Sequence, residues 1–118
     1  MSTHCDLLRE LVDRFNRRQP IDVTRYFTPS FRLNQPGGRD RAGLSGAQEM
    51  IDAMYALGEQ VQLNMLAAVE QGDHVAVRWQ FDGMRDGVSS AGIAMYRFEA
   101  GRIADDWGVA AGMPWRDC

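Results

Sequence analysis

The hydrophobic period of this chain changes once, close to residue 60, and that change limits the folds open to it. Upstream, Leu7, Leu8, Leu11, Val12 and Phe15 recur at the spacing of one helix face, which predicts a helix from about Thr3 to Arg18 stopped by Pro20. Downstream the apolar residues alternate, and VQLNMLAAVE, HVAVRWQFD, VSSAGIAMYRFE and RIADDWGV read as four strands in succession. The turns between them are short, and short connections make successive strands pair antiparallel.

Between the first helix and the strands, IDVTRYF (Ile21 to Phe27) predicts a short second helix ended by Pro29, and Phe31 to Asn34 a brief strand. Gln35 to Gly46 is glycine-rich and reads as a loop. Ser45 and Gln48 have the spacing of a capping box, which starts a third helix over Ala47 to Leu57 with Met50, Ile51, Met54 and Leu57 inward and Gly58 as its stop. The expected order is α-α-β-α-β-β-β-β, an α+β fold in a single domain over residues 1–118.

Composition excludes several classes of function. A net charge of -3 without any basic run argues against a nucleic-acid partner. All thirteen basic residues are arginine, a bias that fits a GC-rich genome better than a special chemistry. No apolar run approaches the roughly 20 residues that cross a bilayer, and MSTHCDLLRE lacks the pattern of a signal peptide, so the expectation is a cytoplasmic protein. Cys5 and Cys118 are expected as free thiols, and His4 and His74 have no companion at ligand spacing, so neither metal nor cofactor is expected.

The stretch RIADDWGV places two carboxylates side by side in a strand, where they must point to opposite faces. A three-residue turn at Glu99-Ala100-Gly101 sets Phe98 opposite Arg102, Tyr96 opposite Ala104 and Ala94 opposite Asp106. If the GMRDG connection keeps parity, Asn64, Arg78, Gln80, Ala94, Tyr96 and Asp106 share one mixed face. The other face is strongly apolar, with Val75, Val77, Trp79, Ile93, Met95 and Trp107, and carries Asp105 and Arg97, which can pair across the hairpin. From the residues alone, the apolar face packs either on the helices or on a second molecule.

HVAVRW, then GIAMYRFEAGRI, then the DW pair of the last strand, preceded by a short helix and FTPSF, resemble the SnoaL-like members of the nuclear-transport-factor-like superfamily over nearly the whole chain. The resemblance implies a curved sheet wrapped around three N-terminal helices, a cone-shaped pocket lined by the mixed face, and a homodimer through the convex apolar face. Trp79, Trp107, Ile93 and Met95 would then lie in the interface. The superfamily includes ketosteroid isomerases, epoxide hydrolases, polyketide cyclases and non-catalytic binding domains.

Residue by residue, the isomerase pattern is missing, with Gln35-Pro36, Ala94 and Phe15 where it has its base and oxyanion donors. The hydrolase pattern is partly present in Asn34 and Arg78-Trp79-Gln80, but its second acid falls at about Gly108. Where the cyclases have a histidine before the last-strand tryptophan stands Asp106, with Ala111 at the following acid. The expected function is binding of a hydrophobic, oxygenated small molecule, and either cofactor-independent cyclase, isomerase or hydrolase chemistry or non-catalytic binding. Asp106 is the candidate acid/base and Arg78 its partner, while Asn34, Gln80, Tyr96, Met54 and Phe15 are the candidate substrate contacts.

Overall fold

The computed structural model describes residues 3–34, 41–85, 87 and 89–110. Its elements are α1 (His4–Asn16), α2 (Val23–Tyr26), β1 (Phe27–Asn34), β2 (Arg41–Ala42), α3 (Gly43–Tyr55), β3 (Gln62–Gln71), β4 (His74–Asp82), β5 (Ser90–Glu99) and β6 (Arg102–Ala110). This is the expected α+β order with one addition. Strand β2 is two residues long and too short to show any alternation in the sequence.

Two starts differ from expectation. Helix α3 begins at Gly43, not Ala47, and its N-cap Ala42 offers no side-chain bond, so the Ser45–Gln48 box does not form. Gln48 donates to Asp52 one turn on instead, at 2.9 Å. The early start follows from packing. Gly46 and Ala47 are buried, and a Cβ at Gly46 would come within 2.9 Å of the Arg41 carbonyl carbon, so only glycine lets the helix lie on β2. The capping box belongs to α1, where Thr3 and Asp6 exchange hydrogen bonds of 3.1 Å. Strand β1 begins at Phe27, earlier than expected, and contains Pro29. Pro29 lies where the β1–β6 register shifts, between Phe27 and Arg32, a site where its missing N–H costs no ladder bond.

The six strands form one sheet in the order β2-β1-β6-β5-β4-β3, antiparallel throughout except for the parallel pair β1–β6. Helix α1 packs over β3 and α3 over β1. Asn16, the last residue of α1, exchanges two bonds of 2.9 Å with the main chain of Leu63, so its amide acts as one more rung on the edge strand. At the other side of α1, Glu10 takes both Arg25 and the Tyr26 hydroxyl, and those donors hold its carboxyl down to about 2.

The face assignment needs a correction. The connection between β4 and β5 does not keep the assumed parity, since Val77 lies opposite Ala94 and Arg78 opposite Ile93. Glu99 pairs with Arg102 around a two-residue turn, in which Ala100 and Gly101 both have positive φ. A register shift between Arg97 and Phe98 then brings Tyr96 opposite Asp106. The buried side therefore joins Val75, Val77 and Trp79 to Ala94, Tyr96, Phe98 and Asp106. The deciding term is burial: this register takes both sets of buried apolar side chains out of water together. Trp79, expected in a convex interface, is inside. Ile93, Met95 and Trp107 are outside, as expected.

No helix among the described residues is long and apolar enough to cross a membrane.

Candidate functional site

Between the helices and the sheet lies a cavity of about 290 Å³. Leu8, Leu11 and Val12 of α1 and Met50 and Met54 of α3 form its helical wall, because those residues recur on the sheet-facing sides of the two helices. Trp79, Ala94, Tyr96 and Asp106 belong to its sheet side. Among the described residues, four lining side chains carry nitrogen or oxygen atoms, namely Arg41, Trp79, Tyr96 and Asp106.

Asp106 is 7% exposed. Burial pushes its carboxyl up to about 7, with no hydrogen bond or charge among the described residues opposing the shift. A carboxyl with that titration can give or accept a proton at neutral pH. Tyr96 lies directly across the β5–β6 ladder. Its hydroxyl accepts from the indole Nε1 of Trp79 at 3.0 Å, which leaves its own proton free to donate. Burial first, and the Asp106 charge second, hold that phenol well above its ordinary range, so it stays a donor. An acid/base, an oriented phenol and an apolar enclosure are the components needed to bind a carbonyl oxygen and move a proton beside it.

One row of paired residues crosses five strands at this point: Arg41 on β2, Leu33 on β1, Asp106 on β6, Tyr96 on β5 and Val75 on β4. Paired residues share a face, so the row sets one cation, one carboxyl and one phenol on the cavity side of the sheet.

The candidates from the sequence divide accordingly. Asp106, Tyr96 and Met54 line the cavity. Arg78 is exposed on the opposite face and cannot be the partner of Asp106, a consequence of the parity change. Gln80 is on that outer side as well, donating to Asp82 at 3.0 Å. Asn34 pairs with the outward-facing Trp107. Phe15 is buried, but it stacks on Tyr55 at 4.2 Å as part of the core and does not line the cavity. The hydrolase-like set of Asn34, Arg78 and Gln80 thus does not converge on Asp106. Gly108, where that pattern has its second acid, does line the cavity beside Asp106 and brings no side chain. Gln35, Pro36, Ala111 and Cys118 fall outside the described residues.

Asp105 points outward and pairs with Arg97 at 2.7 Å, as the hairpin reading expects. The neighbouring acids therefore have separate surroundings. Trp79 and Arg41 were not among the site candidates. Alternation along HVAVRWQFD groups Trp79 with Val75 and Val77, so treating the more apolar face as the inner one would have found it. No local signal marks Arg41, whose place depends on β2 pairing with β1.

Comparison with known proteins gives a consistent picture. The profile of the SnoaL-like domain matches residues 8–106. A SnoaL-like polyketide cyclase from Agrobacterium tumefaciens is 22% identical, with 93% of this chain and 92% of that one covered at a TM-score of 0.79. An NTF2-like protein of unknown function from Mesorhizobium loti is also 22% identical, covering 92% and 91% at 0.79. TsrD from Streptomyces laurentii is 20% identical, covering 92% and 88% at 0.76. At such identities the likeness is one of fold. No curated protein matches the sequence.

Proposed function

The chain belongs to the SnoaL-like domain family, and on that premise we propose that its cavity binds a hydrophobic, oxygenated small molecule and catalyses a cyclisation or isomerisation with its own side chains. The observation that carries this is Asp106, a carboxyl buried in an apolar cavity and pushed up to about 7. In this reading the Asp106 carboxylate takes a proton from the carbon next to a ligand carbonyl. The Tyr96 hydroxyl donates to the oxygen on which the negative charge develops, and protonated Asp106 returns the proton at the end. Trp79 positions Tyr96 through its indole N–H. A polycarbonyl ligand suits this chemistry, in keeping with the polyketide cyclase among the structural relatives. The curling of the sheet around the helices into a cone belongs to the same reading.

The experiment is deuterium uptake from heavy water at the α-carbon of a tetralone incubated with the protein. The uptake is expected to rise as pH passes about 7, where Asp106 loses its proton. Asp106→Asn is expected to abolish it while leaving tetralone affinity in place. Equal uptake by the variant would remove Asp106 from the mechanism. The second reading, a non-catalytic binding module, is favoured by the single carboxyl among the described lining residues and by Gly108 standing where another acid would be. Binding without uptake in the wild type would select it.

The outer face supports a second copy of the chain as partner. Val69, Ala76, Met95 and Trp107 form one paired row across β3, β4, β5 and β6, next to Ile93. Val69 is 69% exposed, Ile93 56%, Met95 42% and Trp107 39%. An apolar strip of that kind is suited to a self-complementary homodimer interface.

A further inference from the structure

Arg41 is the only cation among the described residues that line the cavity, and none of the other described lining side chains is bonded to it. Its Nε is buried and has no hydrogen-bond partner among the described residues. Among the described residues, the carboxylate that approaches it, that of Glu49, stands 3.8 Å away, beyond hydrogen-bond reach, and its side chain is largely in solvent. A guanidinium does not lose its charge, so a buried Nε–H without an acceptor is costly unless a ligand supplies one. The backbone that presents Arg41 is held firmly: β2 pairs Arg41 with Leu33, and Gly46 lets α3 lie directly on the Arg41 main chain.

Two strand spacings, about 10 Å, separate the Arg41 and Asp106 positions along the row, with Leu33 between them. We propose that the ligand of this cavity is an amphipathic organic acid, its carboxylate held by Arg41, its apolar body over Leu33 and a carbonyl or hydroxyl oxygen at Tyr96 and Asp106. The proposal rests on reading the cavity as a ligand site and assigns the substrate class for it. A carboxylate fits better than a phosphate. A single guanidinium, for which Glu49 already competes, can balance at most one negative charge, and its planar fork matches a planar carboxylate.

The test uses a hydroxynaphthoic acid and its methyl ester as probes, titrated calorimetrically below pH 7, where Asp106 is protonated and does not repel an anion. The acid is expected to bind the wild type about tenfold tighter than the ester, or more. Arg41→Met is expected to erase that preference with the ester's affinity unchanged, and Arg41→Lys to restore part of it. Should Arg41→Met not fold, Glu49→Gln serves instead: removing the competing carboxylate tightens the acid and not the ester. Equal binding of acid and ester by the wild type, equal weakening of both by Arg41→Met, or no effect of Glu49→Gln on the acid overturns the carboxylate site and leaves the cavity reading standing. If neither probe binds the wild type, the cavity reading itself falls, and the carboxylate site falls with it.

Discussion

A carboxyl that titrates near 7 instead of its ordinary 3.8 gives the protein a pH response of definite sign. Between those values the folded chain keeps a proton that the unfolded chain has lost, so stability falls as pH rises through the window and levels off above about 7. The full cost is on the order of 4 kcal/mol. Asp106→Asn removes the titration, and the melting temperature of the variant relative to wild type is expected to climb from pH 4 to pH 8. Parallel curves for the two proteins would mean that Asp106 is not buried as described. At this scale the sequence was half legible. Opposite directions for Asp105 and Asp106 follow from strand geometry, and so does the Arg97 pair. The partner of Asp106 did not follow, because Arg78 and Asp106 were placed on one face by counting through a connection whose parity only burial decides.

Among the elements, the joint between the α3–β3 and β4–β5 connections is the least tolerant. Gly58 and Gly83 cross so closely that a Cβ on Gly58 would come within 2.7 Å of the Gly83 carbonyl oxygen, and one on Gly83 would overlap the Gln60 carbonyl. Gly83 also has φ +72, which side chains disfavour. Gly83→Ala is therefore expected to cost more than about 2 kcal/mol in urea unfolding. A loss below about 0.5 kcal/mol would show that the joint yields. This joint sets the parity of β5 against β4, which is why the GMRDG stretch misled the reading of faces. Helix and strand existence, β2 apart, was legible from period and from the residues that stop each element. The Leu66 bulge, where Met65 pairs with Trp79 but Ala67 with Arg78, was not, and it turns Val69 outward although Leu63, six residues earlier, is buried.

For the whole molecule, the exposed row of Val69, Met95 and Trp107 is the feature with the largest consequence. If two copies meet there, a charge at its centre must be desolvated without a partner in both copies, and Trp107→Glu is expected to give monomers in sedimentation or native mass spectrometry. A Trp107→Glu protein that remains dimeric would remove the outer face from the interface. The Arg97–Asp105 pair lies on this same face, and its two charges are already partnered within one chain.

The sequence by itself determined the α+β class, the order of all elements except β2, the antiparallel meander and the opposite directions of Asp105 and Asp106. Those properties are local: they depend on periods of a few residues, on turn residues and on caps. The tertiary structure alone decided which face became the interior, that Trp79 holds Tyr96, and that Arg41 shares a row with Asp106. Each of these depends on strand registers separated by bulges and long connections. A register is chosen by the sum of apolar area that it buries, a quantity no short stretch of sequence contains.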